Sequence, residues 1–255
     1  MNQIKPIIIP LSEGSFTVDK TKIFVPFHSD KHDLKERSTG SLLVEVQPFV
    51  IITSKDILLI DAGLGFSKNG ELQIHSNLKA NGIQPNQVTK VLMSHLHKDH
   101  AGGISMRNHL GNYKLSFPNA IYFVQKKEFE FAMEKDFPSF MTEEIEVLQN
   151  NRQVQWLDGD GWIDDYIRYH ETSAHSPHHQ VFWIEDGNQK LFFGGDDAPQ
   201  LIQMKNKFIA KYDFDGKKCM HLRQQWWHQA QDEGWTFLFY HDIKTPYYHQ
   251  QKKEL

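Results

Sequence analysis

Residues 95–100 read His-Leu-His-Lys-Asp-His and are followed by Ala-Gly-Gly. Three imidazoles and a carboxylate within six residues form the donor set that divalent transition metals take, so the fold must close around this run. Alternate side chains of an extended chain share a face, which predicts His95, His97 and Asp99 on one side. His100 then points elsewhere unless the chain turns, and Gly102-Gly103 make a turn easy. A segment that runs straight and then bends can serve two adjacent metals. The apolar Val91-Leu92-Met93 ahead of it predicts a buried strand that delivers the loop, which a surface loop with chance histidines would lack.

The run resembles the His-x-His-x-Asp-His signature of the metallo-β-lactamase-like hydrolase superfamily, and four further segments resemble that family in order. Asp56-Ile-Leu-Leu-Ile-Asp61-Ala-Gly63 is similar to its apolar strand ending in Asp-x-Gly. Thr172-Ser-Ala-His175-Ser-Pro177-His-His179 resembles the turn that gives the third histidine of the first metal. Leu191-Phe-Phe-Gly-Gly195-Asp196 resembles the strand whose end gives the bridging carboxylate, and Phe239-Tyr240-His241-Asp242 the one that gives the last histidine. The resemblance implies an α/β fold: a four-layer αβ/βα sandwich of two mixed β-sheets flanked by helices. It also implies that His95, His97 and His175 hold a first metal. Asp99, His100 and His241 would hold a second, with Asp196 shared. The implied cofactors are two divalent ions, Zn²⁺ first, although Mn²⁺ or Fe²⁺ also accept such ligands. Each ligand histidine needs an outer acceptor for its second nitrogen, for which Asp61 and Asp242 are the candidates.

Two departures leave alternatives open. The turn at His175 lacks the family's usual glycines, so His178 competes with His175 as ligand and His179 is outer-shell or structural. Asp196 is followed by Asp197, and the Gly-Asp pairing favours Asp196. The remaining histidines, such as His28, His32, His75, His109 and His170, are expected to be ordinary polar residues.

Ligands spread from residue 95 to residue 241 must meet in space, so the 255 residues are expected to form one domain, 1–255. With 39% hydrophobic residues the chain can bury a sizeable core. The 28 basic and 32 acidic residues give no field for nucleic acid or anionic membranes, so neither is an expected partner. A single cysteine, Cys219, excludes an internal disulfide and fits a reducing compartment. The apolar Ile7–Ile9 is too short for a leader and precedes Pro10, and no stretch is long enough to span a membrane. A cytoplasmic location is therefore expected.

Strands are predicted at 41–46, 49–53, 57–60, 90–94, 120–124, 181–184, 191–193 and 235–240, and helices at 71–80, 125–135 and 217–233. Residues 137–165 read as irregular apart from a short helix at 142–149. The hairpin at 181–193 echoes the one at 49–61, as two similar β-rich halves would.

The function implied is hydrolysis of an ester-like bond (lactone, ester, thioester or phosphotriester) by a metal-bridging hydroxide, with Asp99 as the catalytic carboxylate that orients it and relays a proton. The alternative is a one-iron oxidoreductase like the persulfide dioxygenases, which share the histidine run. The tyrosine that lactonases often place three residues after the bridging aspartate is Pro199 here. Phe, Met and Trp are dense from Phe129 to Trp162, either as helix packing or as an apolar cap over the metals. As a cap, they would imply a small-molecule substrate with an apolar or aromatic portion.

Overall fold

The computed structural model describes residues 5–252. Residues 1–4 and 253–255, the two ends of the expected domain range, lie outside it. Two six-stranded mixed sheets dominate. The first orders its strands Ile7–Pro10, Phe49–Ile52, Ile57–Ile60, Lys90–Leu92, Ile121–Gln125 and Val154–Leu157. The second runs Gly161–Ile163, Ile167–Glu171, Gln180–Asp186, Gln189–Phe193, Trp235–Leu238 and Tyr247–His249. In each, an antiparallel hairpin leads into parallel pairing with a following strand.

Residue alternation explains why the sheets stack. Phe49, Ile51, Leu58 and Ile60 face one way and meet Phe182, Ile184, Leu191 and Phe193 in a buried core between the sheets. Val50, Leu59 and Val91, one residue out of phase, join a second core with Ile74 and Leu78 of helix Gln73–Ala80 and Ala132 of helix Lys126–Lys135. Val181, Trp183 and Phe192 form a third with Trp226 and Ala230 of helix Gly216–Glu233. Both faces of each sheet are thus dry, and the three cores separate the four layers that were expected. The long helix starts where Asp215 accepts a 2.9 Å bond from the Lys218 amide and stops at Gly234, whose φ of +77° is left-handed. Cys219 and Arg223 share its buried face.

The irregular reading of 137–165 needs correcting. It contains the edge strands Val154–Leu157 and Gly161–Ile163, short segments whose pairing with distant strands supplies their order. The Ile7–Pro10, Ile167–Glu171 and Tyr247–His249 strands likewise lie at or near sheet edges. A separate three-stranded sheet of Gly14–Val18, Phe24–Phe27 and Leu42–Val46 stands beside the mouth of the site. Among the described residues no helix is long and apolar enough to cross a membrane.

Glu13, just before that sheet, is 6% exposed and accepts a 2.7 Å bond from the Leu64 amide. Burial pushes its carboxyl up to about 7 even though that bond pulls it down. Between about pH 4.5 and 7 the unfolded chain loses this proton before the folded one does, so stability falls as pH rises through that window. Glu13→Gln should remove this slope and stabilise the protein at pH 8 by about 2–4 kcal/mol, since each pH unit across the window costs about 1.4 kcal/mol. Urea unfolding of both proteins at pH 5 and 8 checks it.

Candidate metal centre

The strand Lys90–Leu92 carries the chain to the carboxyl edge of the first sheet, where it bends at Ser94 and runs without regular structure through His95-Leu96-His97. The chain then turns into the short helix Lys98–Ala101, with His97 capping its start. The turn expected at the glycines therefore comes at His97. Gly102 and Gly103 instead permit close approach. A Cβ on Gly102 would stand 2.4 Å from the backbone of Leu64, and one on Gly103 2.1 Å from the Ala62 carbonyl oxygen.

This earlier turn corrects the expected grouping of His95, His97 and Asp99 on one face. Helical geometry sends Asp99 with His100 to another side. One cluster holds His95, His97, His175 and Asp196, the other Asp99, His100 and His241, and the candidate ligand atoms of each lie within 4.8 Å of one another. Asp196 faces both clusters. Its Oδ2 is 3.1 Å from His175 Nε2 and 4.0 Å from His95 Nε2. Its Oδ1 is 3.1 Å from His100 Nε2 and 3.0 Å from His241 Nε2. Asp99 Oδ2 lies 3.8 Å from His100 Nε2 and 3.6 Å from His241 Nε2.

Outer partners set the tautomers. Ser94 donates its hydroxyl to Asp61 Oδ2 at 2.7 Å, so its oxygen is left to accept from His95 Nδ1 at 3.0 Å. His100 Nδ1 donates to the same Asp61 oxygen at 2.7 Å, His175 Nδ1 to Asp213 Oδ1 at 2.9 Å, and His241 Nδ1 to the Glu45 carbonyl at 2.6 Å. Each of these four rings thereby turns a bare Nε2 lone pair toward the Asp196 carboxylate. His97 adds Nδ1, 2.9 Å from His95 Nε2. Lone pairs facing lone pairs and a carboxylate repel unless a cation stands among them. His100 Nε2 and Asp196 Oδ1 are also buried without a hydrogen-bond partner. The donor set therefore fits divalent ions.

Burial, reinforced by neighbouring imidazoles, holds His95 and His97 well below the ordinary histidine range, which leaves them neutral donors. At His100 and His241 burial also pulls down, but the nearby carboxylates of Asp196 and Asp99 outweigh it and raise both, so that without a metal a proton on Nε2 takes the place of the cation that these carboxylates call for. Burial pushes Asp196 up, and the rings of His241, His100 and His175 outweigh it, keeping the carboxyl well below its usual range.

Of the two rivals in the histidine-rich turn, His175 lies in the first cluster. His178 points away to Glu171 Oε1 at 2.8 Å. His179 is buried behind the site, where its Nε2 accepts from the Asp196 amide and its Nδ1 meets Asp197 at 3.1 Å. Ser173, two residues before His175, takes the left-handed conformation, φ +49°. Asp61 serves as the outer acceptor, whereas Asp242 does not: its carboxylate caps the amides of Leu201, Lys244 and Thr245.

Four supporting residues had no sequence signal for the roles they take. Asp213 orients His175. Glu128, 1% exposed, accepts from the Leu96 amide and the Ser176 hydroxyl, tying the two histidine segments together. Asp197 accepts from the His175 amide at 2.8 Å, and Arg223 holds the Asp197 carbonyl at 2.7 Å. His175→Ala should therefore empty the first cluster of metal, while His178→Ala should leave metal content near wild type. Elemental analysis of the two variants decides between them.

Beside the clusters opens a cavity of about 170 Å³ whose apolar wall is Val18, Phe24, Leu42, Val44 and Phe208. Of the two readings of 129–162, helix packing rather than a cap describes most of the segment. Phe129 and Phe140 are buried in the core, Trp156 packs against it, and Trp162 is 53% exposed on the surface. Phe140 still reaches the His97 ring at 5.0 Å, and Phe131 and Phe137 line a shallower recess next door.

The fold is similar to that of a probable metal-dependent hydrolase from Staphylococcus aureus, with a TM-score of 0.79 at 22% identity over 99% of this chain and 95% of that one. It is also similar to AidC, a dizinc quorum-quenching lactonase, at 0.71 and 19% over 99% and 93%. At these identities the likeness concerns the fold. In sequence, 147 residues are 30% identical to the N-acyl homoserine lactonase AttM of Agrobacterium fabrum, over 53% of this chain and 51% of that protein. The N-acyl homoserine lactonase of Bacillus thuringiensis matches at 31% over 115 residues, 45% of this chain and 40% of its own. The match thus spans about half the length of these curated relatives. Residues 44–241 match the profile of the metallo-beta-lactamase superfamily, from the three-stranded sheet to the last histidine, and the chain belongs to that superfamily.

Proposed function

We propose that this protein is a metal-dependent hydrolase that opens lactones or related esters at a dinuclear centre, zinc being the first candidate. The observation that carries the proposal is the Asp196 carboxylate, which offers one oxygen to each of two histidine clusters. His95, His97 and His175 would hold one ion, Asp99, His100 and His241 the other, and Asp196 both. When bound, such a pair supplies an ionised water near neutral pH and polarises the oxygen of the bond under attack.

The chain does the rest. Asp61, Asp213 and the Glu45 carbonyl keep the rings aimed, so no reorganisation is needed when substrate arrives. Asp99, a liner of the cavity, orients the nucleophile, takes its proton at a carboxylate oxygen and passes it to the departing alkoxide. The apolar wall excludes water and receives an acyl chain. Tyr212 lines the same cavity, and burial pushes its phenol up to about 12, so it remains a hydrogen-bond donor to the substrate carbonyl at neutral pH. It supplies a phenol from another segment where Pro199 has none.

Similarity to N-acyl homoserine lactonases puts lactones first among substrates. The one-iron oxidoreductase reading is not favoured, because a single ion in the first cluster would leave Asp99, His100 and His241 gathered with no ion to hold. A cytoplasmic location suits the single, buried Cys219. The test is a panel of acyl homoserine lactones, other lactones, aryl esters, thioesters and phosphotriesters with metal-replete protein. Ring opening or ester cleavage that a chelator abolishes and added zinc restores is expected. A fully metallated protein that cleaves none of them refutes the proposal.

A further inference from the structure

Two lysines at the mouth of the cavity have no evident task in the chemistry above. Lys22 sits in the hairpin turn between strands Gly14–Val18 and Phe24–Phe27, and Lys98 opens the helix that carries Asp99 and His100. Both line the cavity that also exposes His97, Asp99, His175 and Asp196. They come from separate parts of the fold, so their meeting there is a tertiary arrangement and not an accident of adjacent sequence.

Neither ammonium has a carboxylate within salt-bridge reach among the described residues. Other lysines close such pairs, as Lys90 does with Asp56 at 2.6 Å and Lys190 with Glu233 at 2.7 Å. Lys98 instead lies over the rings of Phe24 and Phe137, its Nζ 5.9 and 5.6 Å from their centroids, a placement that fixes the chain without neutralising its charge. Lys22 is held in the left-handed region at φ +59°, an uncommon backbone state for a residue with a side chain.

Charge balance sharpens the point. In the dinuclear reading two divalent ions face only two ligand carboxylates, Asp99 and Asp196, so the centre itself carries net positive charge. Placing two further cations at its rim raises the local potential in a half-enclosed cleft, where screening by water is weaker. A neutral substrate would leave that repulsion in place. A substrate with a second anionic group, separate from the carbonyl under attack, would relieve it and take charge-assisted hydrogen bonds from the ammoniums.

We infer that the physiological substrate is an acyl ester or lactone bearing an anionic group, of carboxylate type, which Lys22 and Lys98 bind at the cavity mouth while its apolar portion lies on the Phe24–Leu42–Val44 wall. This rests on the hydrolytic function proposed above and narrows its substrate class.

The test compares 4-nitrophenyl hexanoate with the mono-4-nitrophenyl esters of succinate, glutarate and adipate, the last matching hexanoate in carbon number but ending in a carboxylate. Metal-replete protein should prefer at least one charged ester by about tenfold or more in kcat/KM, the scale of one charge-assisted bond. The preference should appear mainly in KM and shrink at high salt. Lys22→Glu and Lys98→Glu should each cut the charged-to-neutral ratio by about tenfold or more, and Lys22→Arg should keep most of it, with metal content measured on the same samples. A preference for the neutral ester, or an unchanged ratio in Lys22→Glu, overturns the inference.

Should no ester be cleaved, the hydrolytic function fails, and the lysine pair is judged on its own. Octanesulfonate, an apolar tail with an anionic head that ligates divalent ions weakly, is titrated calorimetrically into metal-free protein. Binding that is present in wild type and lost in Lys22→Glu supports the anion site, and equal or absent binding in both overturns it.

Discussion

Asp99→Asn should fold, keep metal in the His95/His97/His175 cluster, and lose roughly 10²–10⁴ in turnover, the range for losing positioned acid–base help. The substitution preserves size and one oxygen but removes the charge and the proton relay. Asp99 lies in the first turn of a short helix, and the Tyr240 hydroxyl donates to its carbonyl at 2.6 Å, so the backbone stays anchored whatever the side chain. Weaker binding in the second cluster would mimic part of the loss, so metal content and turnover belong on the same sample. Turnover near wild type in a fully metallated variant would remove Asp99 from the mechanism.

Asp61→Ala should be the most destabilising single change in the site's support, by about 3–5 kcal/mol, the scale of leaving a buried charge network without one partner. The carboxylate is fully buried and accepts from the Ser94 amide, the Ser94 hydroxyl and His100 Nδ1. Removing it leaves those donors without a partner and frees both the His95 and His100 rings. The backbone adds to the loss, because Asp61 is left-handed at φ +54°, a conformation aspartate and asparagine tolerate better than alanine. Asp61→Asn should recover much of the stability but not the His100 contact, since its amide group cannot accept bonds on both sides. Thermal unfolding of the two variants separates the backbone contribution from the electrostatic one. Equal losses in both would show that the backbone conformation contributes little.

Local signals carried much of this site. The run His95–His100 and the strand ahead of it are contiguous, and the alternation of 49–60 and 181–193 marks strands buried on both faces. The supporting residues are a different matter. Glu128 reaches Leu96 across 32 residues and Asp213 reaches His175 across 38, and no periodicity or spacing announces such pairs. The Glu45 carbonyl that orients His241 belongs to the backbone, so no residue type could have betrayed it. Asp242 looked equivalent to Asp61 because both end apolar strands, yet the chain turns after Asp242 and spends its carboxylate on that turn. An apolar wall was one of two readings of 129–162, where aromatics are dense. It comes instead from the three-stranded sheet, whose Val18, Phe24 and Leu42 are scattered in sequence and converge only through pairing.

The central claim is that Asp196 joins two metal sites into one centre, and metal stoichiometry tests it most directly. Protein stripped with a chelator and then titrated with zinc should bind close to two ions per chain, as read by elemental analysis after removal of excess metal. Asp196→Ala should weaken both sites together, while His241→Ala should weaken one. A chain with all seven residues intact that saturates at one ion, or an Asp196→Ala variant that still binds two ions as tightly as wild type, would contradict the account.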